Sequence, residues 1–322
     1  MEKQDDLTLM KARSYRSVLK AGFQLYTGNF RRLFKASWQM AFLYALACGA
    51  LGTLVCIKLP EITVSLLQQI MVLQTISIDL LRQYFINILE LLGLTVLAIT
   101  TLSLASANIL NKLKEHKDTG SITLPAHWFS ASPRLMGRTL KGVFMTLLVL
   151  LIPLLLFIGL LATAEALSPQ FVIRHLTTVM ATTLVCTLLV ILFSLPLMHV
   201  LMKYLMEAPC NYFKTLSHHY GRGLRHWGSL FLVFFVSVLL VEIITFIITL
   251  PASILSFANQ QAQQGVLIGD PLGMPSYMLP LTFVTFALCS FIQFYVSQVT
   301  LTHNYYIYGS IETNEYEKNT LH

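Results

Sequence analysis

Charge is what this chain has least of. Acidic and basic residues together make up 11% of its 322 residues, against about 25% in an ordinary globular domain. So few charges cannot clothe a soluble surface of this size. With 55% hydrophobic residues and a mean hydropathy of +0.67, lipid is the solvent for much of the chain. Cysteine is also sparse. The five (Cys48, Cys56, Cys186, Cys210, Cys289) form no close pair of metal-ligand spacing and read as small apolar packing residues, with Cys210 also open to reversible acylation. A glycine-rich phosphate loop, the paired His-Glu helix motif of a metallohydrolase and a nucleophile elbow are all missing. No catalytic residue, cofactor site or metal site is expected, and nucleic acid is not an expected partner.

What the chain does have is length without charge. Crossing a hydrocarbon core of about 30 Å takes roughly 20 apolar residues at 1.5 Å each. Six stretches meet that length. Span one lies between Lys35 and Lys58, and span two runs from Tyr84 to Asn111 and carries Glu90. Span three covers 142–164 and span four 175–202. Span five, 227–255, carries Glu242, and span six runs from Tyr277 to Thr302. The expected fold is all-α, a polytopic membrane protein of six transmembrane helices.

Basic residues orient it. The segment before span one holds eight, the second connection six, the fourth connection four and the tail one, leaving only Lys58, Arg82 and Arg174 on the other side. Short loops rich in lysine and arginine stay cytoplasmic, so both termini are expected there. The first 35 residues are polar and basic, with no separate apolar core or cleavage site, so no cleavable signal peptide is expected and span one serves as its own targeting signal.

The segment "SYRSVLKAGFQLYTGNFRRLF" places Tyr15, Val18, Phe23, Tyr26, Phe30 and Phe34 near one side at helical spacing, with a break expected near Gly28-Asn29. It suits a helix in the inner interface, with a solvated basic arm as the plainer reading. "YTGNFRRL" at Tyr26 returns as "YGRGLRHW" at Tyr220 and, more weakly, as "FSASPRLM" at Phe129, each just ahead of an odd-numbered span. The chain therefore divides into three units, 1–118, 119–208 and 209–322, each a basic interfacial lead and a helical hairpin. Duplication and convergence on one interface requirement both account for the pattern. Arg16, Lys20, Arg31, Arg32, Lys35, Arg134, Arg138, Arg222 and Arg225 are the candidate contacts to anionic lipid headgroups.

These leads, the six spans and the tyrosine-rich close "THNYYIYGSIE" resemble the integral-membrane domain attached to some glycerophosphoryl diester phosphodiesterases and found alone in bacterial membrane proteins. The resemblance implies a single integral-membrane domain in a bacterial cytoplasmic membrane. Two departures stand against it: the close lacks basic residues after its tyrosines, and no phosphodiesterase barrel is attached. The resemblance therefore implies no activity.

Within the spans, Glu242 and Glu90 form the candidate polar site, because an acid in a span costs about 2.5 to 3.5 kcal/mol on insertion scales and usually faces the bundle interior. Glu242 is expected neutral and hydrogen-bonded, with Arg82 and Arg174 as possible partners. His218, His219 and His226 cluster, with no acid nearby in sequence to complete a metal site. "EITVSLLQQIMVLQTISIDLLR" suits an amphipathic helix on the outer interface, and "FANQQAQQGVLIGDPLGMPSY" reads as a loop. Ala45, Gly49 and Thr53 are expected to pack span one on span two. Three functions remain: a non-enzymatic bundle that organises lipid or assists partner membrane proteins, a small transporter or lipid translocator using Glu242 and Glu90, and a membrane enzyme acting on lipid.

Overall fold

A computed structural model describes residues 8–73, 77–125, 131–167, 176–207, 211–269 and 275–320. The described residues are helical almost throughout, in the order α1 (Tyr15–Gly28), α2 (Phe30–Thr53), a π turn (Leu54–Lys58), α3 (Leu59–Leu73), α4 (Ile78–Thr119), α5 (Pro133–Leu167), α6 (Leu176–Met206), α7 (Tyr212–Arg225), α8 (Trp227–Ile268) and α9 (Met278–Thr320). Six helical stretches are long and apolar enough to cross a membrane: Phe30–Leu66, Ile78–Thr119, Pro133–Ala164, Thr177–Met206, Trp227–Gly265 and Met278–Thr320. The protein is a six-span, all-α membrane protein.

The helices begin and end where local chemistry dictates. Ser77 caps α4 by accepting from the Leu80 amide, and Gly120 closes it in the left-handed region at φ 72°, where a residue without Cβ is unstrained. α1 stops at Gly28, as its break residues foretold, and α7 stops at His226 in a similar way. Asn29 (φ −117°, ψ 13°) and His226 (φ −102°, ψ 21°) both leave helical geometry for one residue before a span starts. Both lead helices are 14 residues long. Aligned on their breaks, they set Tyr26 opposite Gly223, three residues from the register of the two quoted motifs. The first two residues of the weaker third copy, Phe129 and Ser130, lie outside the described residues, as do Cys210 and Arg174.

Three expectations are corrected. Phe257–Ile268, read as loop, continues α8 as helix, because its glutamines and alanines favour helix and carry it through Gly265 to Gly269, which leaves helical geometry at φ 95°. Span one packs on span two as expected, but Gly49 faces span six: a Cβ on it would lie 2.8 Å from the Phe283 carbonyl, and one on the neighbouring Gly52 would strike the Phe286 ring. Third, the expected stripe is divided: Val18 and Tyr26 are buried together with Ala21, Gly22 and Leu25, while Tyr15, Phe23 and Phe30 are exposed. Gly22 lets α1 approach His303 of α9, where an added Cβ would meet Cδ2 at 2.4 Å.

Packing is uneven along the bundle. In α4 the buried residues run from Ala98 to His116, apart from Asn87, and in α6 from Leu195 to Met206. The remaining parts of these spans, and most of α5, present leucine, isoleucine and valine outward. Of the most apolar 18-residue window in each span, 44% is buried in span one and 6% in span three. The bundle is closed at the end carrying both termini; at the other, spans three and four and the outer half of span two splay, while spans one, five and six stay packed through Leu54, Ala252, Asn259 and Thr282.

Candidate functional site at the closed end

The closed end is built around α9. Tyr305, Tyr306 and Tyr308 are buried there, each bound to a different helix or segment. The Tyr305 hydroxyl lies 3.0 Å from His116 Nδ1 of α4. Tyr306 packs its ring under the Arg13 guanidinium at 5.0 Å, and Tyr308 donates to Glu207 Oε1 at 3.1 Å. The Arg13 amide donates to Ser310 Oγ at 3.0 Å, which brings the two ends of the chain together. One turn further, Glu312 receives Lys203 Nζ at 2.6 Å and has His199 Nε2 at 3.3 Å and Arg222 at 3.9 Å. Glu315 accepts Arg225 at 3.2 Å and His226 Nε2 at 2.9 Å.

These residues sit on α6, α7 and α9, far apart in sequence and on one face of each helix. Lys203 on α6 and Glu207 just past its end are spaced i, i+4, and Glu312 and Glu315 are i, i+3 on α9, so both acids face the end of α7 and Glu312 reaches α6 as well. Beside them lies a cavity of about 510 Å³ lined by Met10, Arg222, Glu312, Glu315, Tyr316 and Asn319. Burial, and then the charges of Lys203 and Arg222, hold the His219 imidazole below its ordinary range, against the opposing pull of Glu312 and Glu207. Each carboxylate is bracketed by cations, an arrangement suited to a latch. Among the described residues no three histidine, cysteine, aspartate or glutamate side chains converge as metal ligands.

The predicted lipid contacts divide into two groups. Arg16, Lys20, Arg31, Lys35 and Arg134 are exposed. Arg32 is exposed but donates to the Ile122 carbonyl at 2.6 Å and to Asn29. Arg138 is turned inward: it donates to the Glu207 carbonyl at 3.1 Å and to the Tyr204 carbonyl, with its guanidinium 4.9 Å over the Tyr204 ring. Arg222 and Arg225 belong to the acid cluster. Sequence reasoning missed Lys203, Glu312, Glu315 and His199 as a set. Their available signal was spacing, in the acids three residues apart after the tyrosine run and the basic residues four apart on α6.

No family model, curated protein or solved structure matches this chain. Function is therefore read from its own side chains.

The two intramembrane acids do not meet. Glu90 lies 3.7 Å from Lys58, each side chain about half exposed, and does not pair with Arg82; Arg174 lies outside the described residues. Glu242 departs further from expectation. It is exposed on α8, with no ion pair or hydrogen bond among the described residues. The buried positions of α8 are Leu230, Val233, Ser237, Thr245, Ala252 and Asn259, a helical stripe that excludes Glu242. It joins Phe235, Leu239 and Phe246 in an outward row, each about half exposed or more. On an apolar helix, hydropathy gives no face, so the sequence places the acid along the helix but does not set its direction.

Proposed function

We propose that this protein is a non-enzymatic membrane bundle that holds lipid at its cytoplasmic interface and presents the outward face of α8 to a partner membrane protein. The single observation that carries this reading is the exposure of Glu242. It sits 15 residues into its helix, about 22 Å from Trp227. An acid at that depth on a lipid-facing surface is costly, and such residues ordinarily meet a partner. A second transmembrane helix offering a donor between Phe246 and Leu239 would supply one. Both termini facing the cytoplasm, in a bacterial inner membrane, belong to the same proposal, as does kinship with the integral-membrane domain of the phosphodiesterases.

The exposed Arg16, Lys20, Arg31, Lys35 and Arg134 fit the lipid part, at about 1 kcal/mol for each basic residue near an anionic surface. A lateral groove of about 650 Å³ supports it too. It is lined by apolar residues of α5 and α6 and closed by Leu216, Ser217 and Tyr220 of α7. A transporter joining Glu242 to Glu90 has less support, since Glu242 lines neither of the cavities that Glu90 lines.

Photo-crosslinking tests the reading. With a photoreactive residue at Phe246 in native membranes, a discrete adduct to a second membrane protein is expected, and Glu242→Leu should abolish it while Glu242→Gln preserves it. Adducts to lipid alone, or rapid modification of Glu242→Cys by a water-soluble thiol reagent, would overturn the proposal. Reporters fused to each terminus check the orientation.

A further inference from the structure

At the splayed end, opposite both termini, two cavities share one ion pair. The first, about 620 Å³, lies between α3 and the start of α4 and is polar. Lys58 and Arg82 line it with Glu61, Asp79 and Glu90. The second, about 450 Å³, is an apolar cleft reached past the same Lys58 and Glu90. It runs between spans one, two and six along Leu54, Leu94 and Phe283. The π turn Leu54–Lys58 connects them, supplying Leu54 to the cleft and Lys58 to both. Such turns recur at functional sites because the extra residue in the turn re-aims side chains.

The polar cavity holds unmet chemistry of both signs. Within the 4 Å limit of an ion pair only Lys58 and Glu90 meet, while Arg82, Glu61 and Asp79 have no ionic partner among the described residues. Asn87 lines the cavity with 6% of its surface exposed, and its Nδ2 has no hydrogen-bond partner. A buried amide donor without an acceptor is unfavourable, and a ligand oxygen there would satisfy it.

We propose that these joined cavities bind a zwitterionic phospholipid with a primary-ammonium headgroup. Its phosphate lies against Arg82, Lys58 and the Asn87 amide, its ammonium against Glu61 and Asp79, and an acyl chain fills the cleft. A purely anionic headgroup would face three carboxylates against two cations, and a bare cation would leave Arg82 and Asn87 unmet. Among the described residues no aromatic ring lines the polar cavity, so a quaternary ammonium would lack the π face it favours, whereas a primary ammonium donates to carboxylates. The site shares only the membrane setting with the proposed function and uses different helices from the Glu242 face.

The test uses the purified full-length protein in mild detergent, with native mass spectrometry of bound lipid. The probes are phosphatidylethanolamine, phosphatidylcholine, phosphatidylglycerol and chain-free glycerophosphoethanolamine. Phosphatidylethanolamine should bind about tenfold more tightly than the other two lipids, and the paired variant Glu61→Gln with Asp79→Asn should remove that preference at an unchanged melting temperature. Asn87→Asp keeps the side chain's volume but replaces the amide donor, and should weaken binding as well. Three results would each overturn the proposal: equal binding of the three lipids, a preference that survives the paired variant, or full binding of the chain-free headgroup. Crosslinking at Phe246 should be unaffected, so failure here and failure of the partner reading are distinguishable.

Discussion

The two ends of the bundle use charge in opposite ways. At the closed end Glu312 has 16% of its side chain exposed and Lys203 6%, and the pair sits 2.6 Å apart with His199 alongside. At the splayed end Glu90 and Lys58 are about half exposed and 3.7 Å apart, beside three charged residues with no ion pair among the described residues. Charges that are nearly buried must be matched, since removing one partner leaves the other stranded. Half-solvated charges can wait for something else to match them. The difference teaches where this molecule is fastened and where it is open.

The sharpest way to break that comparison is to unfasten the closed end. Glu312→Ala takes the carboxylate from Lys203 and His199, leaving Lys203 only the partly solvated Glu207 at 3.2 Å, and should cost about 3 kcal/mol, read as the largest fall in thermal or denaturant midpoint of any single change proposed. Next comes close packing. Gly22→Ala drives a Cβ into His303 and should cost about 1 to 3 kcal/mol, whereas Gly93→Ala, with nothing within 4 Å, should be neutral or stabilising by up to about 1 kcal/mol. Equal shifts for the two glycines would erase the contrast between the ends.

Smaller effects sharpen it. Tyr308→Phe removes one hydrogen bond to Glu207 and should cost about 1 kcal/mol. Glu90→Gln should cost less than about 1 kcal/mol, because its pair is solvated. The smallest is a pH effect. His219 has a folded-state pKa below its unfolded value of about 6.5, so the unfolded chain binds the proton first. Its contribution is complete above that value and is lost as pH falls through it. His219→Gln should therefore flatten part of the acid-side decline in melting temperature relative to the native chain.

How much of this was legible in the sequence depended on the length scale of the signal. Span count follows from windows of uncharged residues, and the break at Asn29 from a glycine and an asparagine between apolar runs, whereas the matching break at His226 emerges only in the structure. The latch was not legible, because Lys203 and Glu312 are separated by 109 positions and neither stands out locally. The tyrosines of "THNYYIYGSIE" entered only as part of a resemblance, yet all three are buried ties between elements that lie far apart in sequence. Glu242 marks the opposite failure: its depth was legible from chain position, and its direction depended on which neighbours α8 met.

Mechanically, α9 is a lever. Its tyrosines are held at the closed end, and about 40 Å of helix lies between Tyr305 and Met278. Beyond Pro280, in its first turn, no proline interrupts it. Transmembrane helices adjust their tilt to the thickness of the surrounding hydrocarbon. With the pivot at the tyrosines, a tilt of roughly 10° carries the Met278 end about 7 Å sideways. That end carries Leu279, Pro280 and Phe283, one wall of the apolar cleft. Because Phe283 and Phe286 bear on Gly49 and Gly52, that end carries span one with it, so a thinner or thicker bilayer would shift spans one and six together against span two and change the width of the cleft between them.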